Sequence, residues 1–375
     1  MLRKLLKSSL ALGVSRSGIA ARIGARRNSP DQPLIVGYHR VVEDFDRSAL
    51  TSIPSMLISA RMLEKQLDWL AARYRLLSLE EMGKRLAEGS STTGTAAVTF
   101  DDGYGDVYEN AFPILRRKGI PATIFVVTGT IGTPRSLNHD RLYALLARAL
   151  RSAAVPADLL AGLHRDCGLT VPEPHDLARA GRTTFTALRL FLDRLPQPSI
   201  LAVIDTLESH LGARLADEDR ALTWEMLDAM GSAGMIIGSH SRTHVLLTHE
   251  SQERKHDEIS GSRQVLEARL KRRVEHFAYP DGRFDTGTVI ATAAAGYRFA
   301  YTACAHRDPA FPLLTQPRRV LWEHAAIDAR GAFSGSVLDC LVGGLFDALS
   351  PCRQPHGPGL EDHPPLRAAW SGTAS

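Results

Sequence analysis

The sequence predicts an α/β protein built on a parallel sheet and interrupted by a mostly helical insertion. Two observations carry that expectation. Short apolar runs rich in β-favouring residues alternate with amphipathic stretches at helical spacing, the strand–helix–strand rhythm of parallel sheets. Two of those runs also end in chemistry-bearing residues: Thr95–Phe100 leads into Asp101-Asp102-Gly103, and Met235–Ser239 leads into His240. In α/β folds the carboxyl ends of strands are where ligands and catalytic groups gather. The chain has 375 residues, 44% hydrophobic and 23% charged, enough for one large domain or two smaller ones. Its net charge of +4 is too small to argue for a nucleic-acid partner. No apolar run has the length of a transmembrane helix. The four cysteines, Cys167, Cys304, Cys340 and Cys352, show no C-x-x-C spacing and read as thiols of a reducing compartment.

Residues 1–32 form a basic N-terminal segment carrying Arg3, Lys4, Lys7, Arg16, Arg22, Arg26 and Arg27. The apolar run Ser9–Val14 is short for a secretory signal, and Arg16 interrupts it. An amphipathic helix on an anionic membrane surface fits the charge, and so does a frayed or loosely docked helix. Pro33–His39 reads as the first core strand, with His39 at its end. Ser59–Ala72 places Met62, Leu63, Leu67 and Leu70 on one helical face. Ser78 and Glu81 have capping-box spacing and open a second helix. The strand Thr95–Phe100 is followed by helical spacing from Gly105 to Arg117, with Gly119 as a stop.

Ala122–Val127 is the next strand, and then the rhythm breaks. From about residue 133 to 220 the pattern is helical (Leu142–Leu150, Phe185–Leu195, Ile200–Leu211), an insertion that either shapes a substrate cleft or merely extends the scaffold. The rhythm resumes with a helix N-capped by Thr223, the strand Met235–Ser239 and a long charged helix over Ser251–Arg273. Val274–Tyr279, Thr286–Ala295 and Phe299–Thr302 then read as strand, helix and strand. Residues 326–375 form a C-terminal extension, rich in Pro and Gly and expected to be disordered after about residue 350.

Asp101 and Asp102 are adjacent carboxylates that repel unless something positive lies beside them. A divalent cation serves, with one Asp as ligand and the other left as a base; a plain polar turn is the simpler alternative. His240 and His244 are four residues apart, and just after a strand that spacing points both imidazoles the same way. Two neutral His and one carboxylate make a facial set that leaves positions open for water and substrate, as in catalytic Zn²⁺ sites.

Three motifs together, Thr99-Phe100-Asp101-Asp102-Gly103, His240-Ser241-Arg242-Thr243-His244 and Phe277-Ala278-Tyr279-Pro280-Asp281-Gly282, resemble the polysaccharide deacetylase family, the NodB-homology group of carbohydrate esterases. Tyr38-His39-Arg40-Val41 also recurs in that group. The resemblance covers roughly residues 33–325. It implies a distorted (β/α)7-type barrel and a metal-dependent hydrolase acting on linear amides, one that removes acetyl groups from an N-acetylglucosamine-type oligo- or polysaccharide. Carried over by motif, Asp102, His240 and His244 would hold the divalent metal, Zn²⁺ or another ion such as Co²⁺. Asp101 would be the general base, and a backbone N–H near Asp281 an oxyanion donor. Tyr104 and His324 are further substrate-side candidates.

The chain also departs from the family pattern. Ala278 stands where many relatives carry an arginine that braces the base, and Asp281 where they carry a tyrosine. Arg283, Arg318 or Arg319 would have to substitute. The late Leu-x-His motif that supplies a general acid is not recognisable, which leaves His324 as the nearest candidate by position. Two alternatives therefore stand beside the deacetylase: a catalytically weak or inactive metal- or glycan-binding member of the same fold, and a hydrolase of another amide or ester. Without a convincing signal peptide, the expected location is the cytoplasm, peripheral to the inner membrane if the basic segment docks there.

Overall fold

In the computed structural model, residues 33–151, 184–211 and 221–348 are described. The basic N-terminal segment, the tail after residue 350 and two parts of the helical insertion lie outside them. Among the described residues there are ten strands: β1 (Leu34–Tyr38), β2 (Arg40–Val42), β3 (Leu57–Ser59), β4 (Arg75–Leu76), β5 (Thr95–Phe100), β6 (Ala122–Val126), β7 (Ile236–Ser239), β8 (His276–Ala278), β9 (Phe299–Tyr301) and β10 (Arg319–Val320). The principal helices are α1 (Ala60–Ala71), α2 (Leu79–Ala87), α3 (Phe112–Lys118), α4 (Asn138–Arg151), α5 (Thr184–Leu192), α6 (Gln197–Leu211), α7 (Trp224–Ser232), α8 (Gln252–Leu270), α9 (Thr286–Ala294) and α10 (Gly335–Val342).

The main sheet is parallel throughout and runs β10-β1-β5-β6-β7-β8-β9, with β4 added beside β5. It curls into a half-barrel wrapped by helices, as expected from the sequence. The segment after β9 stitches its two ends. Gln316 bridges in parallel to Tyr301 of β9, and three residues later Arg319 pairs with Val36 of β1.

Side chains alternate along each strand. Ala96, Val98 and Phe100 pack outward into the large core under the helices, while Ala97 turns inward beside Ile35, Phe125, Ala278 and Tyr301. The same alternation brings Thr99 and Asp101 to the inner face. Phe125 fills the interior so closely that a Cβ on Gly238 would lie 2.6 Å from its ring.

Helix starts follow the expected caps. Ser59, Ser78, Thr223 and Ser251 each accept a backbone N–H from the first turn of α1, α2, α7 and α8. Gly119 ends α3 in the left-handed region. Three features differ from the sequence reading. The stretch after Gly105 opens with a π-helical turn (Val107–Ala111) before α3, because Pro113 lacks the N–H an α-helix would use there. β2 and β3 form a small second sheet outside the barrel, from runs too short to show a period. β4 and β10, two residues each, are likewise too short to carry a pattern. α4, α5 and α6 pack on one another around Leu145, Leu188, Phe191, Val203, Ile204 and Leu207, a core separate from the barrel's own.

Candidate metal centre and active site

β5 and β7 deliver the central residues at their carboxyl ends. After Phe100, Asp101 continues the inward face, its N–H donating to Tyr38 O (2.8 Å), and Asp102 then turns with φ +73°. After Ser239, the His240 N–H donates to Val126 O (2.9 Å), and the loop carries Ser241 at φ +66° and His244 at φ +57°. Asp281 has φ +57° as well, so apart from Lys271, which caps α8, the described non-glycine residues in the left-handed region all lie at this site. Such backbone is tolerated where surrounding contacts over-determine it. Here the buried Glu258 of α8 does much of the holding: one carboxylate oxygen accepts from the N–H groups of Arg242 and Thr243, the other from Thr243 Oγ1.

Asp102, His240 and His244 converge, with ligand atoms within 4.8 Å of one another. His240 Nε2 lies 3.4 Å and His244 Nε2 3.1 Å from Asp102 Oδ1. His240 Nδ1 is 2.8 Å from Ala278 O; it donates to that carbonyl and leaves Nε2 with its lone pair toward Asp102. Both Asp102 oxygens are buried without a hydrogen-bond donor. A buried carboxylate facing two imidazole nitrogens and no donor is costly, and a divalent cation among these atoms removes the cost. By this test the three residues fit a divalent metal, and the N,N,O donor set suits zinc.

Asp101 is held differently. Arg318, 2% exposed, grips it with Nη1–Oδ1 at 2.6 Å and Nη2–Oδ2 at 2.7 Å, and also donates to Thr99 Oγ1 and Thr302 O while lying over the Phe125 ring. Burial pushes the Asp101 carboxyl up, but the Arg318 guanidinium, with His240 and His39, outweighs it and holds the acid below its ordinary value. Asp102 is held well below its ordinary value: burial opposes ionisation, and the charge of His244 beside it is the largest influence the other way. Of the arginines that could replace the one missing at Ala278, Arg318 reaches Asp101. Arg283 pairs with Asp193 and Asp281, and Arg319 with Asp347.

The centre forms the floor of a cavity of about 430 Å³ lined by Asp101, Asp102, His240, His244, His39 and His139. Three expectations need correction or refinement. His324 is exposed and does not line the cavity: its ring lies edge-on against Phe45 and tilted against Trp322, which does line it. Tyr104 is 3% exposed and does not line the cavity: its hydroxyl donates to Asp140 Oδ2 (2.6 Å) and lies 3.1 Å from His139 Nε2, with Arg40 over its ring. Burial drives the Tyr104 phenol well above its ordinary pKa. Asp281 does line the cavity, but Arg189 holds its carboxylate at 2.8 and 2.9 Å.

His139, not singled out from the sequence, sits beside the centre with its ring 4.7 Å from that of His244. Burial, reinforced by His244, lowers its pKa to about 3. Asn138-His139-Asp140 at the start of α4 was the only signal, and it has no distinctive spacing.

The chain matches the family model described as polysaccharide deacetylase over residues 88–156 and 189–300. It is 31% identical over 117 residues to a poly-beta-1,6-N-acetyl-D-glucosamine N-deacetylase of Staphylococcus aureus, a span of 29% of this chain and 40% of that protein. The corresponding protein of Staphylococcus epidermidis is 32% identical over the same shares. The match thus spans 40% of the length of these curated relatives. Among solved structures, the Streptococcus pyogenes deacetylase PplD in complex with acetate aligns at TM-score 0.51 and 19% identity, covering 84% of this chain and 99% of that one. IcaB from Ammonifex degensii aligns at TM-score 0.51 and 18% identity, covering 84% and 97%.

Proposed function

This chain belongs to the polysaccharide deacetylase family, and we propose that it hydrolyses the acetamide of an N-acetylglucosamine-type glycan with the help of a divalent metal. One observation carries the reading: a buried Asp102 with no donor faces two histidine nitrogens, next to an Asp101 that Arg318 keeps ionised. The partial similarity to staphylococcal N-deacetylases of poly-beta-1,6-N-acetyl-D-glucosamine supports the substrate class.

In this reading Asp102, His240 and His244 hold the metal, which when bound polarises the amide carbonyl and acidifies water. Asp101 is the general base and accepts the water proton on a carboxylate oxygen. Arg318 orients that carboxylate and keeps it charged. The Ala278 carbonyl fixes the His240 tautomer. The Asp281 amide, on the left-handed turn that edges the cavity, donates to the oxyanion. Arg318 counts against the catalytically weak alternative, since the arginine missing at Ala278 is supplied from elsewhere in the chain. In location, the cytoplasmic side remains part of this proposal; among the described residues no helix is long and apolar enough to cross a membrane.

The test is acetate release from N-acetylglucosamine oligomers by metal-stripped protein and by protein given back Zn²⁺ or Co²⁺. Asp101→Asn is expected to lower release roughly 10²–10⁴-fold while metal still binds. His240→Ala is expected to lose the metal. Release that ignores chelation would refute the metal-dependent mechanism. Tight metal binding without release from any N-acetylated glycan would refute the deacetylase reading.

A further inference from the structure

The cavity over the centre has two chemically distinct halves. Its floor is charged. Its roof comes largely from the helical insertion: Phe185, Leu188 and Leu192 of α5, Leu195 and Ile200, with Ile53 opposite. Asn138, Gln197 and Trp322 give the wall a few hydrogen-bonding and aromatic groups of the kind that hold a saccharide, but between them the insertion contributes chiefly branched aliphatic side chains. Arg189, the one arginine or lysine among the described lining residues, is committed to Asp281 and Asp193. Phe185 is 38% exposed and Leu192 half-buried, so apolar surface is left toward the cavity beyond what packing α5 on α4 requires. An acetyl group uses little of 430 Å³, a volume in the range of pockets for whole small molecules.

We propose that this roof receives an aliphatic chain carried by the N-acylated sugar, so that the substrate is amphiphilic. The inference rests on the amide-hydrolase reading of the floor. The chemistry is unchanged: the amide C–N bond breaks, water adds its oxygen to the acyl carbon, and the amine leaves with the proton. The chain can belong to the acyl group, longer than acetyl, or to the aglycone attached to the sugar. Both present the same methylenes to Phe185 and Leu192, the roof residues that keep exposed surface.

Two ligand series separate these sources and keep the inference independent of turnover. Glucosamines N-acylated with acetyl, butanoyl and hexanoyl form one. Methyl, butyl and octyl glycosides of N-acetylglucosamine form the other. Binding is measured calorimetrically to Asp101→Asn protein, and hydrolysis with the metal-loaded wild type. Affinity is expected to rise about fourfold per buried methylene in one series until the roof is filled. A rise in the acyl series assigns the chain to the acyl group, and a rise in the glycosides assigns it to the aglycone. Leu192→Gln, at a half-buried position, is expected to flatten the rise, and Phe185→Ser gives a second variant on the exposed edge. Affinity flat or falling with length in both series overturns the proposal. Hydrolysis of acetylated oligomers without any length dependence would sink this inference and leave the deacetylase reading standing. Length-dependent binding without hydrolysis would do the reverse.

Discussion

The floor and the roof of the cavity are built on opposite principles. The floor is a rigid product of the barrel: buried ions, left-handed backbone and hydrogen bonds that each fix one atom. The roof is a small helical bundle with its own apolar core, joined to the barrel through surface-accessible ties such as Arg189–Asp281 and the Gln197 N–H to Glu250. In such a floor a substitution leaves a buried charge without its counterpart, as Arg318 is for Asp101. A roof of that kind can be re-cut residue by residue. The centre and the apolar roof are thereby carried by parts of the chain that pack around separate cores.

The sharpest way to break the floor is Arg318→Leu. It strands the Asp101 carboxylate, and removing one partner of a buried pair costs about 3–5 kcal/mol. Denaturant midpoints should fall accordingly and activity should vanish with them. An unchanged midpoint would show that the pair does not support the barrel.

In the roof, Ile204→Ala should cost roughly 2–5 kcal/mol of local stability through its cavity. Hydrogen exchange in α5 and α6 should accelerate while β5 and β6 stay protected. Equal loss in both regions would mean that floor and roof form one cooperative unit.

Acid should separate them next. His276 is buried against Phe299 and Tyr301, and burial lowers its pKa to about 3. The folded state therefore binds its proton less readily than the unfolded one. That contribution is complete above the ordinary histidine value and is lost as pH falls from there toward 3, by about 1.4 kcal/mol per pH unit. His139 adds the same sign. Asp101 and Asp102, whose values are lowered, withdraw their contribution only below the ordinary aspartate range. His276→Gln should flatten the decline between about pH 6 and pH 4, read from denaturant midpoints, and an unaltered slope would assign it elsewhere. The smallest effect is expected at Arg242→Ala, which removes an exposed pair with Asp257 and should change stability by less than about 1 kcal/mol.

The parts of the molecule that were legible in the sequence are those set by local pattern. β5 and β7 announce themselves by apolar runs ending in Asp-Asp and His, and the caps at Ser59, Ser78, Thr223 and Ser251 by residue type. Arg318 was only one of three candidates, because its partner lies 217 residues away and no local pattern encodes that distance. Tyr104 was misjudged for a related reason. Its neighbours at the strand end reach the cavity, but its own side chain turns under His139 and Asp140, which enter from the insertion. His324 had position in its favour, yet position along the chain says nothing about which way a loop turns after a two-residue strand.

The stitch between Gln316 and Arg319 has a consequence for how the protein comes into being. A ribosome delivers Asp101 early and Arg318 late. Until Arg318 arrives, 217 residues later, the inward acid of β5 lacks the guanidinium that holds it in the folded protein. Long-range closure of this kind is slow and comes late in folding. The same few residues that make the stitch also bring the cation to Asp101. A polypeptide that stops short of them has neither the bridge to β9 nor the guanidinium at Asp101.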